Sequence, residues 1–276
     1  MSHPTSVYCR HIIKKLFYLF WIIRVPIVSV SMLLLIDAFF VSQINNTLFP
    51  CISTMCMLFS GYVINDILDA DIDRISTPDR PIPSGHITLT EAKSIVKIFG
   101  IMACIFSVLS ENLIFASYIL VYTVMFWVYT KYLKRNWLIK NGVTALFFSS
   151  LALIPIIFDK GAFISVMPLF VVSFIFTLGR EILMDMKDLV GDNIISGNKR
   201  LKIEVGLVVS TILISAAFIL MELFYFDTYL IRYIIVSIVC ILFVILLRKK
   251  RRIIWLYAES IKLWFLINLI FLYINI

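Results

Sequence analysis

Two triplets of aspartate with identical spacing are the residues of this sequence most able to do chemistry. Each member of the second triplet lies 119 positions after its counterpart in the first. The triplets are Asp66, Asp69 and Asp73, followed by Asp185, Asp188 and Asp192. On an α-helix, positions i, i+3 and i+7 fall within about 60° of one another. Each triplet therefore puts three carboxylates on one helix face, and two such faces predict a site for divalent cations that hold phosphate.

Three carboxylates on one face repel one another. Two like charges about 4 Å apart repel by about 4 kcal/mol at an effective dielectric constant near 20. Protonation or a bound cation relieves this repulsion, and ligands that are all oxygen select hard cations such as Mg²⁺, which usually binds one or two carboxylates together with substrate phosphates. Basic residues near the triplets supply charge for such phosphates. They are Arg74, Arg80, Arg180, Lys187, Lys199 and Arg200. This combination predicts a ligand with a diphosphate head and an apolar tail.

Asp71 serves as an internal control for the helical-face argument. It lies about 140° from Asp66 around a helix, so we expect it to face solvent or a basic loop and to be dispensable. A single acidic pair of this kind would usually only solvate a loop or cap a helix end. The repetition of a whole triplet favours a functional site.

The composition of the chain predicts a polytopic membrane protein. Of its 276 residues, 61% are hydrophobic and only 15% are charged, and the mean hydropathy is +0.99. A soluble domain cannot bury that much apolar surface. Nine stretches are each long enough to span a bilayer as helices of an all-α bundle. They lie near 16–42, 48–68, 93–110, 113–131, 140–158, 162–184, 203–224, 228–247 and 253–274.

The basic residues predict the orientation in the membrane. With the N-terminus inside, all but three of the 25 Lys and Arg lie at cytoplasmic ends and loops, the exceptions being Lys160, Arg232 and Lys262. This asymmetry indicates a multi-pass protein of the cell (inner) membrane. The net charge of +8 then favours anionic lipid, and we expect no nucleic-acid partner. Four predicted spans separate the two triplets, so both are expected at the cytoplasmic face.

One membrane-embedded domain, 1–276, is the simplest organisation, with functional cytoplasmic loops near 65–92 and 185–202. Residues 8–23 form a basic, amphipathic stretch that we expect to lie along the inner membrane surface. Arg24 and Pro26 interrupt the apolar run that follows. This interruption predicts a kink or the true start of the first span.

Three longer motifs surround the aspartates. The first is Asn65-Asp66-x-x-Asp69-x-x-x-Asp73, followed by Pro78-Asp79-Arg80-Pro81-Ile82-Pro83-Ser84-Gly85. The second is Gly179-Arg180-Glu181-Ile182, followed by Asp185-x-x-Asp188-x-x-Gly191-Asp192. The third is Tyr129-x-x-x-Leu133-Lys134-Arg135, with Asn141 a few residues later. Together with the nine spans, they resemble the UbiA superfamily of intramembrane prenyltransferases along the whole chain. The second motif is most similar to digeranylgeranylglyceryl phosphate synthase-like members. Lys199-Arg200-Leu201 departs from the Lys-Thr-Leu usual in relatives.

The resemblance implies a Mg²⁺-dependent reaction in which a prenyl group passes from a polyprenyl diphosphate donor to a lipid-soluble acceptor, with release of diphosphate. The acceptor is a glycerol-phosphate lipid or an aromatic or quinone precursor. All six aspartates are the implied metal-binding and catalytic residues. The implied substrate-binding residues are Asn65, Arg80, Lys134, Arg180, Lys187, Asn141 and Arg24. The allylic cation formed on ionisation requires a cavity that excludes water.

Two other residues stand out in the last predicted span. Glu259 and Lys262 lie three positions apart, which suits either a structural ion pair or part of an acceptor pocket. Ionisable groups inside a membrane span are often functional, so both interpretations stand at this point.

Two alternatives to the transferase remain open. A cyclase of the same superfamily would ionise the donor and close it on itself, releasing pyrophosphate without any acceptor. A cation transporter would use the triplets as an ion site without chemistry. The predicted position of the triplets at the membrane surface disfavours transport, because transport sites lie near the midplane.

Overall fold

The computed structural model describes residues 15–133, 137–191, 197–225 and 251–275, and all secondary structure within these ranges is helical. The α-helices are α1 (Lys15–Ile22), α2 (Val25–Val41), α3 (Leu48–Ser76), α4 (Leu89–Leu109), α5 (Leu113–Val128), α6 (Trp137–Ser150), α7 (Pro155–Phe158), α8 (Phe163–Gly191), α9 (Gly197–Tyr225) and α10 (Arg251–Asn275). A π-helical turn, Tyr129–Leu133, continues α5, and 3₁₀ turns at Leu151–Leu153 and Lys160–Ala162 flank α7.

Several of these helices are long and apolar enough to cross a bilayer. Five qualify alone, and a sixth qualifies if α1 and α2 count as one bent span. The five are Leu48–Ser76, Leu89–Leu109, Leu113–Leu133, Lys160–Met186 and Lys202–Tyr225. The predicted span 140–158 matches a shorter apolar helix, Ile139–Leu153. The predicted span 253–274 matches α10. The predicted span 228–247 lies outside the described residues. The all-α membrane architecture is confirmed, and nine spans is an approximate count.

The helices fall into two compact units. The first comprises Met1–Met32 and Asn46–Lys134, and the second comprises Leu33–Asn45 and Arg135–Ile276. In the first unit, α3 packs against α4 and α5. In the second, α8 is the central helix, because it packs against α6, α9 and α10. Each unit contains one of the two predicted aspartate triplets.

Parts of both segments that the sequence analysis predicts as loops, 65–92 and 185–202, are helical in the structure. Helix α3 continues to Ser76, so the loop predicted near 65–92 begins only at Thr77. The backbone of Thr77 leaves the helical region (φ −147°, ψ 67°), as expected for a residue that precedes a proline. In the same way α8 continues to Gly191, which makes 185–191 helical. The carboxylates of the first triplet therefore stand on a regular helix.

The predicted interruption at Arg24 is a sharp break between α1 and α2. The two helices are bent by 46°, and Arg24 has a positive φ of 53°, an uncommon conformation for a residue other than glycine. Pro26 lies at the second position of α2, where the missing N–H has no helical partner to lose. The kink prediction is confirmed.

The turn from Thr77 to Thr88 connects α3 to α4 and anchors α1. Gly85 provides the one positive-φ glycine of the described residues (φ 76°), a conformation that favours glycine. The ring of His86 stacks on Tyr18 of α1 at 3.8 Å between centroids, and Lys15 pairs with Glu91 at 2.5 Å. Beneath the turn, α1, α3, α4 and the turn share an apolar cluster. It consists of Ile22, Val63, Ala70, Ile82, Ile87 and Ala92.

Gly179 permits the close approach of α8 and α9. A Cβ at this position would lie 2.9 Å from Ile214 Cγ1 and 3.0 Å from both Leu213 Cβ and the backbone oxygen of Ser210. Backbone atoms cannot move aside as a flexible side chain can. The glycine that opens the second motif is therefore required by packing.

We expect Gly179→Ala to lower the free energy of unfolding by about 1–3 kcal/mol, because overpacking forces a backbone shift. Unfolding in detergent micelles, followed by circular dichroism, measures the change. The matched control is Gly142→Ala in α6, where an added Cβ meets nothing within 4 Å. Equal stability losses in the two variants would contradict the packing explanation.

Candidate active site

The first triplet lies on the packed side of α3. Asp66 and Asp73 are each only 6% exposed, and they share this side with the buried Val63 and Ala70. Asp69 is half-buried, and its Oδ2 accepts a hydrogen bond of 3.0 Å from Nδ2 of Asn65, one turn earlier. The predicted helical arrangement of the three carboxylates is confirmed. Their burial requires positive charge nearby, because an isolated buried carboxylate is very unfavourable.

Arg24 supplies positive charge to Asp66. Its Nη2 donates to Asp66 Oδ1 at 2.8 Å, and its guanidinium carbon lies 5.7 Å from the centre of the Tyr62 ring, within the range of a cation–π contact. The break between α1 and α2 makes this contact available, since Arg24 itself occupies the strained position. Positive φ in a non-glycine residue costs about 1–3 kcal/mol and often marks a functional site.

Arg80 supplies positive charge to Asp73. Its Nη1 donates to Asp73 Oδ2 at 2.6 Å and lies 3.8 Å from Asp66 Oδ1. The other oxygen of Asp73 accepts a 3.0 Å hydrogen bond from Thr77 Oγ1. The turn after α3 thus bends Arg80 back over the last turn of the same helix.

Asp71 faces solvent, as the sequence predicts. Its side chain is 91% exposed and, among the described residues, pairs with the neighbouring Arg74 at 2.9 Å. It contributes nothing to the inner side of α3, where Asp66 and Asp73 lie. The helical-face prediction therefore separates the two kinds of aspartate correctly.

The second acidic site is built around Asp185 on α8. Its Oδ1 forms an ion pair with Nζ of Lys140, and its Oδ2 accepts a 2.7 Å hydrogen bond from Nδ2 of Asn141. Both partners are on α6, which packs against α8. Arg180, one turn and a half earlier on α8, pairs with Glu181 at 2.8 Å. The side chains of Lys187 and Asp188, and all of Lys134 and Asp192, lie outside the described residues.

Sequence reasoning missed two residues that contact the predicted site. Lys140 directly precedes Asn141 of the third motif, but its sequence context does not separate it from the other basic residues predicted at the cytoplasmic face. Tyr62 precedes Asp66 by one helical turn, and this spacing is the signal that would have found it. Both contacts depend on which helices are neighbours.

The residues suit a hard divalent cation by their chemistry. In the described part of the chain, no three His, Cys, Asp or Glu side chains gather closely enough to form a metal site by themselves. The available donors are nevertheless carboxylate oxygens, as Mg²⁺ prefers, and Mg²⁺ commonly completes its shell with substrate phosphates and water. By its chemistry, each of the carboxylates whose side chains are described is a suitable Mg²⁺ ligand: Asp66, Asp69 and Asp73 in the first unit, and Asp185 in the second.

Comparison with known proteins agrees with this chemistry. The sequence profile of the UbiA prenyltransferase family matches residues 25–274. The chain belongs to this family. Its membership confirms the resemblance and the prediction of a membrane prenyltransferase. The match is continuous over both compact units.

Curated relatives of this UbiA-family chain include two archaeal digeranylgeranylglyceryl phosphate synthases. The protein of Sulfurisphaera tokodaii is 33% identical over 203 residues, covering 67% of this chain and 70% of that protein. The protein of Methanocaldococcus jannaschii is 33% identical over 172 residues, covering 59% of this chain and 60% of that protein. The similarity to these two relatives thus extends over about two thirds of their lengths.

Solved structures share the fold. One concerned with digeranylgeranylglyceryl phosphate synthase in membranes is 28% identical, with a TM-score of 0.62, and the match covers 93% of this chain and 99% of that chain. A UbiA homolog from Archaeoglobus fulgidus, bound to DMAPP and Mg²⁺, is 16% identical with a TM-score of 0.54, and the match covers 94% and 99% of the two chains. The second likeness supports the fold alone.

We expect the Arg24–Asp66 pair to be energetically coupled. A double-mutant cycle with Arg24→Gln and Asp66→Asn should give a coupling of about 1.5–3 kcal/mol, the range for hydrogen bonds to charged groups. The free energy of unfolding in detergent micelles is the measurement. The exposed pair Arg74–Asp71 is the matched control, with an expected coupling of about 0.2–1 kcal/mol. A coupling for Arg24–Asp66 no larger than this control value would contradict the argument.

Proposed function

We propose that this protein transfers a prenyl group from a polyprenyl diphosphate to a glycerol-phosphate lipid in a Mg²⁺-dependent reaction that releases diphosphate. The observation that carries the proposal is the burial of Asp66 and Asp73 on α3 with Arg24 and Arg80 directed at them, in a chain of the UbiA family. The curated relatives favour the glycerol-phosphate acceptor over an aromatic or quinone precursor, because both are named digeranylgeranylglyceryl phosphate synthases.

We assign metal binding to the aspartates of both triplets. Asp66, Asp69, Asp73 and Asp185 have their side chains among the described residues, and Asp188 and Asp192 stay predictions from the motif. When bound, Mg²⁺ neutralises the charge that develops on the leaving diphosphate. Asn65 orients the Asp69 carboxylate through its 3.0 Å hydrogen bond. Support of this kind fixes the direction of a metal ligand's lone pairs.

Basic residues next to the carboxylates bind the diphosphate oxygens in this proposal. Arg24 and Arg80 present planar guanidinium groups, which suit oxyanions in particular. Lys140 and Asn141 hold Asp185 from α6, and Arg180 lies on the same helix as Asp185. Lys134 and Lys187 remain predicted diphosphate ligands whose side chains lie outside the described residues.

Aromatic residues near the first triplet suit the allylic cation that ionisation of the donor produces. The Tyr62 ring packs edge-on against Phe126 of α5, with 5.8 Å between centroids, and Phe126 in turn contacts Tyr129. Aromatic faces attract cations and exclude water, which would otherwise quench the intermediate. Tyr62, the member of this cluster on α3, lies one helical turn before Asp66.

The reaction takes place at a membrane in this proposal. The protein spans a membrane several times, as its family and its apolar helices establish. We propose that this is the cell (inner) membrane, with the N-terminus and both triplets on the cytoplasmic side, as the basic residues predict. We further propose that residues 1–276 act as one catalytic domain in contact with membrane lipids, since the family match runs through both units.

Replacement of the carboxylates that are buried or hydrogen-bonded to asparagine tests the proposal. We expect Asp66→Ala, Asp69→Ala and Asp185→Ala each to abolish turnover, because each removes an oxygen ligand of the metal–diphosphate complex. Mass spectrometry of the prenylated lipid formed in liposomes is the measurement. Asp71→Ala is the matched control and should keep near-normal turnover. If Asp71 proves as essential as Asp66, the assignment by helix face is wrong.

Removal of the metal tests the role of Mg²⁺ directly. We expect EDTA to stop prenyl transfer and excess Mg²⁺ to restore it, because carboxylates and diphosphate repel one another without a cation. Product formation and pyrophosphate release are measured together in the wild-type protein. Undiminished transfer in EDTA would contradict the assignment, and pyrophosphate release without any acceptor would indicate a cyclase.

A further inference from the structure

An ion pair in the last helix is not used by the site described above. Nζ of Lys262 donates to Oε2 of Glu259 at 2.5 Å, from one turn of α10 to the next. The pair lies within the predicted span 253–274. Both side chains keep part of their surface exposed, 22% for Lys262 and 33% for Glu259, so a ligand can reach them. Ionisable groups at such positions are unfavourable in lipid and usually face the protein interior or a polar cavity.

The position of Lys262 around α10 directs it toward the protein. Buried residues recur at helical spacing and define the packed side of this helix. They are Ile254, Tyr257, Ala258, Ile261, Phe265 and Leu269. At 100° per residue, Lys262 falls about 75° from the middle of that side, whereas the exposed Leu263 falls about 170° away. Lys262 therefore borders the packed side, and Glu259 reaches it from the neighbouring turn.

A ring stack fixes the height of this pair relative to the acidic site of the second unit. Phe265 of α10 stacks on Phe176 of α8, with 4.0 Å between centroids and 9° between planes. In the predicted topology α8 and α10 run in opposite directions, so residues before Phe265 match residues after Phe176. At 1.5 Å per residue, Lys262 lies about 4–5 Å and Asp185 about 13–14 Å from the stack along the helix axes.

This height is suited to an acceptor of the prenyl group. Measured along the helix axes in the same way, Glu259 lies about 9 Å and Arg180 about 6 Å from the stack. The Glu259–Lys262 pair is therefore level with Arg180, and it lies one to two helical turns farther into the membrane than Asp185. The Nε of Arg180 is buried and has no hydrogen-bond partner among the described residues. The prenyl tail of the donor is apolar, so its reacting carbon lies on the membrane side of the diphosphate. An acceptor must present its nucleophile there.

We propose that Lys262, held in place by Glu259, binds the anionic head group of the prenyl acceptor. The ligand is an oxyanion, either a phosphate monoester or a carboxylate, on an amphiphile that carries the nucleophilic oxygen. A lysine ammonium binds such a group as a point charge, and Glu259 balances that charge when the acceptor leaves. Arg180, at the same height, offers a further donor. This inference rests on the proposed function and names its acceptor site.

The test compares two acceptors that differ only in the anion. One is a glycerol phosphate lipid with a single prenyl chain, and the other is the same lipid without its phosphate. We expect Lys262→Gln to raise the apparent KM for the phosphorylated acceptor at least about tenfold. The donor KM, kcat and the KM for the dephosphorylated acceptor should change less than about twofold. An aromatic carboxylate as a third acceptor decides which oxyanion the site prefers.

Binding without turnover gives an independent measurement. The phosphorylated lipid should raise the Tm of the wild-type protein and of the control Lys97→Gln, an exposed lysine of α4, but not that of Lys262→Gln. A charge-swapped variant, Glu259→Lys with Lys262→Glu, keeps an ion pair but moves the ammonium. A structural pair predicts full recovery in this variant, whereas the binding role predicts that the acceptor KM stays high.

Full recovery by the charge swap, or equal effects of Lys262→Gln on the two lipids, would overturn the acceptor site. Failure of the proposed function has a different signature. In that case the wild-type protein makes no prenylated product from any acceptor with any prenyl diphosphate, while the thermal-shift experiment still reports whether Lys262 binds the phosphorylated lipid.

Discussion

The pairing of carboxylates with basic side chains at the ends of apolar helices is the constraint on which the rest of this structure depends. Asp66 and Asp73 face the packed side of α3, where an unpaired charge would be strongly destabilising. Two arginines approach this side from different directions, Arg24 from the break before α2 and Arg80 from the turn after α3. Each of these irregular segments is therefore as much a part of the site as the helix that carries the aspartates.

The supporting structure around these segments follows from the same need. Arg24 contacts Asp66 from a backbone position with positive φ, and α1 is anchored by the Tyr18–His86 stack and the Lys15–Glu91 pair. Such strain persists when surrounding contacts determine the conformation. The turn that contains Arg80 is anchored in turn by the buried Ile82 and Ile87. Apolar packing thus positions the charges, and the charges make the burial of carboxylates possible.

In the second unit, different residues stabilise the charge of a carboxylate on a packed helix. Asp185 is held by a lysine and an amide from α6, in place of two arginines. The packing of α6 against α8 brings these partners to Asp185, while Gly179 allows α9 to approach α8 and Phe176 stacks on α10. The repeated spacing of aspartates therefore does not imply repeated surroundings. Asp66 and Asp73 are paired with arginines, whereas Asp185 is paired with a lysine and an asparagine.

Much of this protein follows from local sequence. The apolar composition determines a membrane protein, and the spacing of the aspartates determines which carboxylates share a side of α3, because helical periodicity is a local property. The exposure of Asp71 follows from the same periodicity, and the break at Arg24 follows from the interruption of the apolar run by Arg24 and Pro26. Membership of the UbiA family follows from the motifs. The sequence does not determine how far α3 and α8 extend, because a run of acidic residues is compatible with either a loop or a helix.

Only the tertiary structure decided which basic side chain pairs with which carboxylate. Arg24 precedes Asp66 by 42 positions, and Lys140 precedes Asp185 by 45, so these pairs depend on which helices pack side by side. No periodicity in the sequence encodes that choice. It results from the burial of apolar side chains such as Ile22 and Phe265, whose packing is a property of the whole unit. The side of α3 on which the first three aspartates lie was therefore predictable, whereas their partners required the fold.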